Sequence, residues 1–489
     1  MSELSRRNFV ISLGASLGQM ALYAEPQHKE GSAVAVHANL AGRRPNVVVM
    51  ICDDIGWADL GCYGSNLRTP NLDRMAGEGV RLTCFDAGHP ICSASRAALL
   101  TGRYATRSGA KPVYFPQDTD GLALDEQTLA NLLHACDYRT MCVGKWHLGS
   151  APQYLPTRRG FNSYFGVPYS VDMRPLPMIE GDRIIEEHTD RSMLTPRYTE
   201  AAVHFIESSS TQPFFLYMAF SYPHIPIDAS PRFKGKSTNG IYGDAVEEID
   251  WSVGQVLSAL ERNNLEENTL VIFTGDHGPW FQGSPGVHRG RKGTTYEGGF
   301  RVPFVAYWKG TLPAGHVSHE WTSNLDVLPT VASICAAKLP TKPIDGVDIS
   351  AALAGGQIPE RLDPILYFAG MRGGSDLQCA RQGKWKMRLA QYTHETYVLG
   401  GPPGDNLLLE RPELYDLEED PGESYDVASL HPEIVTQMQQ KVEDMIPTFP
   451  EKIVQAYARL KQSPASTTTP AGAASRPAKY AGGPYHFSG

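Results

Sequence analysis

The sequence predicts an α/β protein: a large, mostly parallel sheet covered by helices on both faces, with a smaller C-terminal subdomain built on an antiparallel sheet. Three observations carry this expectation. Apolar runs at Val47–Cys52, Phe214–Phe220, Leu270–Phe273 and Val302–Trp308 read as strands buried on both faces. Between them lie amphipathic helical stretches. In Ala245–Asn263, the residues Val246, Ile249, Val253, Val256, Leu257 and Leu260 share one helical face, and Asp125–Ala135 and Leu325–Ala337 read similarly. Buried strands alternating with such helices imply a parallel sheet whose sites lie beyond the strands' carboxyl ends. The third observation is a change of texture after about Pro364. Ile365–Ala369, Leu377–Arg381 and Trp385–Leu389 read as short antiparallel strands, and His431–Met445 as a helix.

Taken in order, the chain divides into four segments. Residues 1–41 read as an export signal and linker. Ser5-Arg6-Arg7-Asn8-Phe9-Val10 precedes an apolar, small-residue stretch to Ala24 that is too short to span a bilayer. An arginine pair in that position resembles a bacterial twin-arginine signal, which implies a periplasmic or extracellular protein with no membrane span once mature. Residues 42–363 form the expected catalytic domain and 364–462 the C-terminal α+β subdomain. Residues 463–489, rich in Ser, Thr, Pro, Ala and Gly, read as a disordered tail. The length of 489 residues allows about three domains at roughly 150 each, or one large and one small. Lys+Arg 44 against Asp+Glu 53 gives a net charge of −9, which argues against a nucleic-acid partner but leaves room for a local basic pocket. The eight cysteines form no zinc-like pairs, and most read as buried small hydrophobes.

Chemistry-bearing residues cluster where the sheet rule places them. The first strand ends in Asp53-Asp54, and Leu270–Phe273 leads into Thr274-Gly275-Asp276-His277-Gly278. Three carboxylates after two strands suit a hard divalent cation such as calcium. Ser93–Thr101 has helical character with Gly102 as its stop, so Cys92 sits at a helix N-terminus where the dipole favours negative charge. Arg96 lies four residues on and can face back toward Cys92. Lys145 and His147 fall on one face if Lys145-Trp146-His147 is extended. His224 follows the strand at Phe214–Phe220, and Lys292 sits in a glycine-flanked loop. A cation site, several basic groups and a nucleophile at a helix start suit a tetrahedral oxyanion ester.

This set resembles the formylglycine-dependent sulfatases of the alkaline phosphatase superfamily, most closely the arylsulfatase A branch. The resemblance runs from about Pro45 to Ser429. It rests on Pro45-Asn46-Val47…Asp53-Asp54, Thr69-Pro70-Asn71-Leu72-Asp73, Cys92 through Arg103, Gly144-Lys145-Trp146-His147-Leu148-Gly149 and Lys292 through Pro303. Leu414-Tyr415-Asp416-Leu417…Asp420-Pro421-Gly422-Glu423 looks like the family's C-terminal subdomain.

The resemblance implies that a maturation enzyme oxidises Cys92 to formylglycine, whose hydrate is the nucleophile. Asp53, Asp54, Asp276, His277 and position 92 would bind Ca2+, with Mg2+ as the alternative. Arg96 would hold the diol and His147 would assist its deprotonation. Lys145, His224 and Lys292 would bind sulfate oxygens, with Lys292 or His224 protonating the leaving alcohol and Ser170 a further contact. The substrate would be a sulfated small molecule or glycan. Two departures stand out: Ala94 replaces the proline of the C-x-P-x-R signature, and His277 stands where arylsulfatase A carries asparagine. A phosphate or phosphonate ester hydrolase of the same superfamily, or a non-catalytic protein binding sulfated glycans, are the alternative readings.

Overall fold

The computed structural model describes residues 44–208, 212–370, 376–393 and 404–462. The expected export signal (1–41) and the expected tail (463–489) lie outside the described residues. A ten-stranded sheet forms the centre. From edge to edge its strands are His316–Ser318, Val80–Leu82, Phe304–Tyr307, Thr269–Gly275, Asn46–Cys52, Phe214–Ala219, Arg139–Gly144, Ser163–Gly166, Met178–Glu180 and Arg183–Glu186. The five from Thr269–Gly275 to Ser163–Gly166 are mutually parallel. Phe304–Tyr307 is buried as expected of Val302–Trp308, but it is shorter and runs antiparallel to Thr269–Gly275.

Strand alternation divides the interior into two layers. Val47, Val49 and Ile51 pack on one side with Leu99, Leu129, Leu133, Leu328 and Val331. These come from the helices Cys92–Thr101, Leu129–His134 and Val327–Ile334. Val48, Met50 and Cys52 pack on the other with Tyr198, Phe205, Ile249, Val253, Leu257 and Leu260, from Leu194–Glu207 and Gly240–Arg262. A strand clothed on both faces has no polar side to show, which is why these runs lack polar residues. The helix expected over Asp125–Ala135 spans only Leu129–His134. Thr128 and Asn131 form a reciprocal cap there: Thr128 Oγ1 accepts from Asn131 N at 3.2 Å, and Asn131 Oδ1 accepts from Thr128 N at 3.0 Å.

A separate antiparallel sheet follows, in the order Ile365–Ala369, Asp376–Gln382, Trp385–Tyr392 and Asn406–Asp416. The helices Pro432–Met445 and Glu451–Gln462 pack on it through Met438, Val442, Ile453 and Leu460. Ala98, Tyr104, Phe300 and Leu325 of the larger unit belong to the same apolar cluster. A buried ionic network crosses the junction. Asp86 accepts from Arg301 Nε at 2.8 Å, Arg381 Nη1 at 3.0 Å and the Tyr367 hydroxyl at 2.7 Å. Glu297 accepts from Arg381 Nη1 at 2.9 Å, from Lys386 Nζ at 3.0 Å and from Arg301. Glu423 accepts the Glu297 backbone N–H at 2.6 Å. All eight cysteines are free thiols, and Cys52, Cys92, Cys142, Cys335 and Cys379 are buried.

Candidate active site

Five neighbouring parallel strands end at one level, with Cys52 opposite Gly275, Ile51 opposite Ala219 and Gly144 opposite Ala219. The residues that follow them therefore converge. Asp53 and Asp54 leave the central strand, Asp276 and His277 its neighbour, and His224, Lys145, His147 and Ser170 the strands on the other side. Backbone bonds hold the ends together: Asp276 N donates to Cys52 O at 3.0 Å, and Lys145 N to Ala219 O at 2.8 Å.

Lys145 and His147 follow the strand Arg139–Gly144, where Trp146 N donates to Val167 O and His147 N to Pro168 O, each at 3.0 Å. Gly144 has φ 98° and His147 φ 59°, both in the left-handed region. Only glycine serves at 144, where a Cβ would lie 1.9 Å from the Ala219 carbonyl oxygen. Asp54 is also left-handed, at φ 69°. Non-glycine residues so held cost on the order of 1–3 kcal/mol each, a strain that concentrates at working sites.

Cys92 is the first residue of its helix, after the extended Ile91, and Gly102 closes that helix at φ 64°. Its Sγ lies 3.2 Å from His277 Nε2 and 3.6 Å from Asp53 Oδ1. Arg96, one turn on from Cys92, is held mainly by carboxylates. Its Nε and Nη2 donate to Asp276 Oδ2 at 3.1 and 3.0 Å, its Nη1 to the Lys145 carbonyl at 3.1 Å, and Nη2 lies 3.6 Å from Asp53 Oδ1. The carboxylates attract the guanidinium more strongly than a thiol does. Lys145 Nζ donates to Asp53 Oδ2 at 2.5 Å and Lys292 Nζ to Asp54 Oδ1 at 2.7 Å. His224 Nε2 stands 3.9 Å from Asp54 Oδ2.

These groups shape one another's protonation. Burial pushes Asp53 upward, but Lys145, His224, Arg96 and Lys292 outweigh it and hold the carboxyl well below its ordinary range. Burial likewise opposes Asp54, which Lys292, His224 and His277 hold low. Burial raises Asp276. His277 moves up to about 9, because Asp276 and Cys92 outweigh its desolvation. Burial, then Lys145 and Arg96, drive His147 well down. Its Nε2 lies 3.1 Å from the Tyr114 carbonyl and so carries the proton, leaving the buried Nδ1 without a partner.

The donor set suits a cation. Asp53, Cys92, Asp276 and His277 each offer one ligand atom, all within 4.8 Å of one another, as do Asp53, Asp54, Cys92 and His224. Asp54 Oδ2 is buried and accepts no hydrogen bond. In front lies a cavity of about 190 Å3 whose lining includes Asp54, Cys92, His147, Ser170, His224 and Lys292. Ser170 Oγ is buried there without a partner. All the residues singled out from the sequence thus meet around one cluster. Sequence reasoning missed the supports: the Tyr114 carbonyl, Ser95, whose hydroxyl donates to the Asp276 carbonyl, and Asn324, whose Nδ2 lies 2.8 Å from Ser95 Oγ. Contacts made through backbone carbonyls leave no side-chain signature.

A mostly parallel sheet with basic and acidic groups interleaved around a cysteine at its carboxyl edge makes an α/β protein whose site suits an ester of a tetrahedral oxyanion. Residues 45–336 match the profile of the sulfatase family. N-acetylgalactosamine-6-sulfatase of Canis lupus familiaris is 38% identical over 457 residues, covering 84% of this chain and 86% of the relative. Arylsulfatase A of Homo sapiens is 37% identical over 451 residues, covering 83% and 89%. Among solved structures, the PsFucS1 sulfatase from Pseudoalteromonas sp. superposes with a TM-score of 0.74 at 29% identity, covering 90% of this chain and 95% of that one. The chain belongs to the sulfatase family and is a sulfuric ester hydrolase. Sulfate is thereby preferred to the phosphorus-ester alternative. No helix among the described residues is long and apolar enough to cross a membrane.

Proposed function

We propose that this sulfatase releases sulfate from a carbohydrate sulfate ester, using formylglycine made from Cys92 and a calcium ion held by Asp53, Asp54, Asp276, His277 and position 92. The observation that carries this reading is the setting of Cys92: first residue of a helix, 3.2 Å from His277 and 3.6 Å from Asp53, in the lining of the cavity. The names of the relatives, N-acetylgalactosamine-6-sulfatase among them, support a sugar as the alcohol. Formal charge also fits. Asp53, Asp54 and Asp276 are balanced by Arg96, Lys145 and Lys292. The two charges of a divalent cation then match a sulfate monoester and an ionised hydroxyl.

Hydrated formylglycine would supply one hydroxyl to attack sulfur and a second whose deprotonation expels sulfate. The bound cation would lower the pKa of the attacking hydroxyl and draw charge from the sulfate oxygens. Arg96 fixes Asp276 and Asp53 so that their oxygens stay aimed inward. His147, kept neutral by burial with Nδ1 free, accepts the proton of the second hydroxyl. Lys145, Ser170, His224 and Lys292 bind sulfate oxygens, and Lys292 or His224 gives a proton to the leaving alcohol. The proposed setting is the bacterial periplasm or exterior, reached by the twin-arginine-like segment, with a maturase that accepts Ala94.

Peptide mass spectrometry of the active protein should find an aldehyde-reactive residue at position 92. Release of sulfate from N-acetylgalactosamine 6-sulfate should stop after chelation and return with calcium. Full turnover by protein carrying unmodified Cys92, or after exhaustive metal removal, would sink this reading.

A further inference from the structure

Lys292, His224 and His147 line the cavity beside Cys92 and Asp54. Much of the remaining wall is apolar, formed by Val113, Phe115, Met173, Ile225 and Trp280, and Lys292 is the one Lys or Arg among the lining residues. Asp172 also lines it, is exposed, and forms no ion pair among the described residues. The backbone at Trp280 is well fixed. Arg291 Nη1 donates to its carbonyl at 2.8 Å and to that of Gly283 at 2.6 Å, and Lys292 N donates to Pro279 O at 3.0 Å. Lys292 Nζ lies 5.9 Å from the centre of the Trp280 ring. A leaving oxygen at that ammonium therefore has its own carbon skeleton beside an indole.

We infer that Trp280 and Asp172 form a subsite for the sugar ring that carries the sulfate, and that Asp172 restricts the enzyme to sugars without a second anionic group. The inference rests on the carbohydrate-sulfate reading. The C–H face of a pyranose packs on the indole while its outer hydroxyls donate to the Asp172 carboxylate. A second sulfate or a carboxylate on that ring meets Asp172, with no unpaired cation on the wall to offset the like charges. Specificity here comes from repulsion as much as from attraction.

The test compares kcat/KM for N-acetylgalactosamine 6-sulfate, its 4,6-disulfate and 4-nitrophenyl sulfate. Wild type should favour the monosulfate over the disulfate by about 10–100-fold, in line with one well-placed polar discrimination. Asp172→Asn should bring that ratio down about tenfold, and Asp172→Lys should reverse it. Trp280→Ala should raise KM for the monosulfate about tenfold, by loss of ring packing. Equal wild-type turnover of the two sugars, or a ratio unmoved by Asp172→Lys, overturns the assignment of Asp172. If 4-nitrophenyl sulfate turns over and neither sugar does, the carbohydrate reading itself falls and the subsite falls with it.

Discussion

Lys145 and Asp53 form an ion pair with no exposed surface on either side chain, Nζ 2.5 Å from Oδ2. Removing one member of such a pair strands the other charge in a medium that solvates it poorly, at a cost of about 3–5 kcal/mol. Lys145→Met should therefore lower unfolding free energy by roughly 3 kcal/mol in chelator. Calcium should restore part of that loss, since it supplies Asp53 with positive charge. Urea titrations of both proteins, with and without calcium, check this; equal midpoints in chelator would show that Arg96 alone satisfies Asp53.

Lys292 donates to Asp54, which overcomes the effect of burial and keeps the ammonium protonated. On the proposed role of Lys292 as a donor to the sulfate or its leaving oxygen, Lys292→Ala should lower kcat by about 10²–10³. The stopped assay is sulfate release at saturating substrate. A loss confined to KM would reassign the residue to binding alone.

Asp54 Oδ2 is buried and unpartnered, a costly state unless a cation uses it. Wild-type Tm should rise with added calcium, because a ligand that binds only the folded state stabilises it, by about 2.7 kcal/mol at a hundred times Kd. Asp54→Asn should abolish most of that rise. Calorimetry over a calcium series decides the matter.

His288 gives a pH signature away from the cation cluster. Burial, with Arg301 nearby, pushes its pKa down from 6.5 to about 4. Between those values the unfolded chain binds the proton that the folded one refuses, so stability falls as pH drops through this window. The contribution is complete above about pH 6.5, and the slope is about 1.4 kcal/mol per pH unit for one site. His288→Asn should remove that increment from the pH dependence of the urea midpoint. An unchanged dependence would mean that His288 titrates freely.

The central sheet was legible because its strands are clothed on both sides, so Val47–Cys52 could contain nothing polar. Ser163–Gly166, Met178–Glu180 and Arg183–Glu186 were not. They are short, the last is largely exposed, and pairing with a neighbour makes them strands. The start of the helix at Leu129 turned on one cap between Thr128 and Asn131, which the apolar spacing of Asp125–Ala135 does not reveal. The site was more legible than the fold, since acids, bases and a cysteine after strand ends announce themselves. What the spacing hid was the detail: the carboxylates that Arg96 binds, and the left-handed backbone at Gly144 and His147.

The ionic junction between the two sheets has a consequence for when the molecule can work. Glu297 closes the loop that carries Lys292, and it is gripped by Arg381, Lys386 and the turn ending at Glu423. The loop that carries Lys292 is thus moored to residues made well after it. A growing chain that has just passed Arg301 holds the acids, the cysteine and the basic groups, yet among the described residues Arg301 is the one ion-pair partner of Glu297 already made. Residues made later thus latch a loop made earlier.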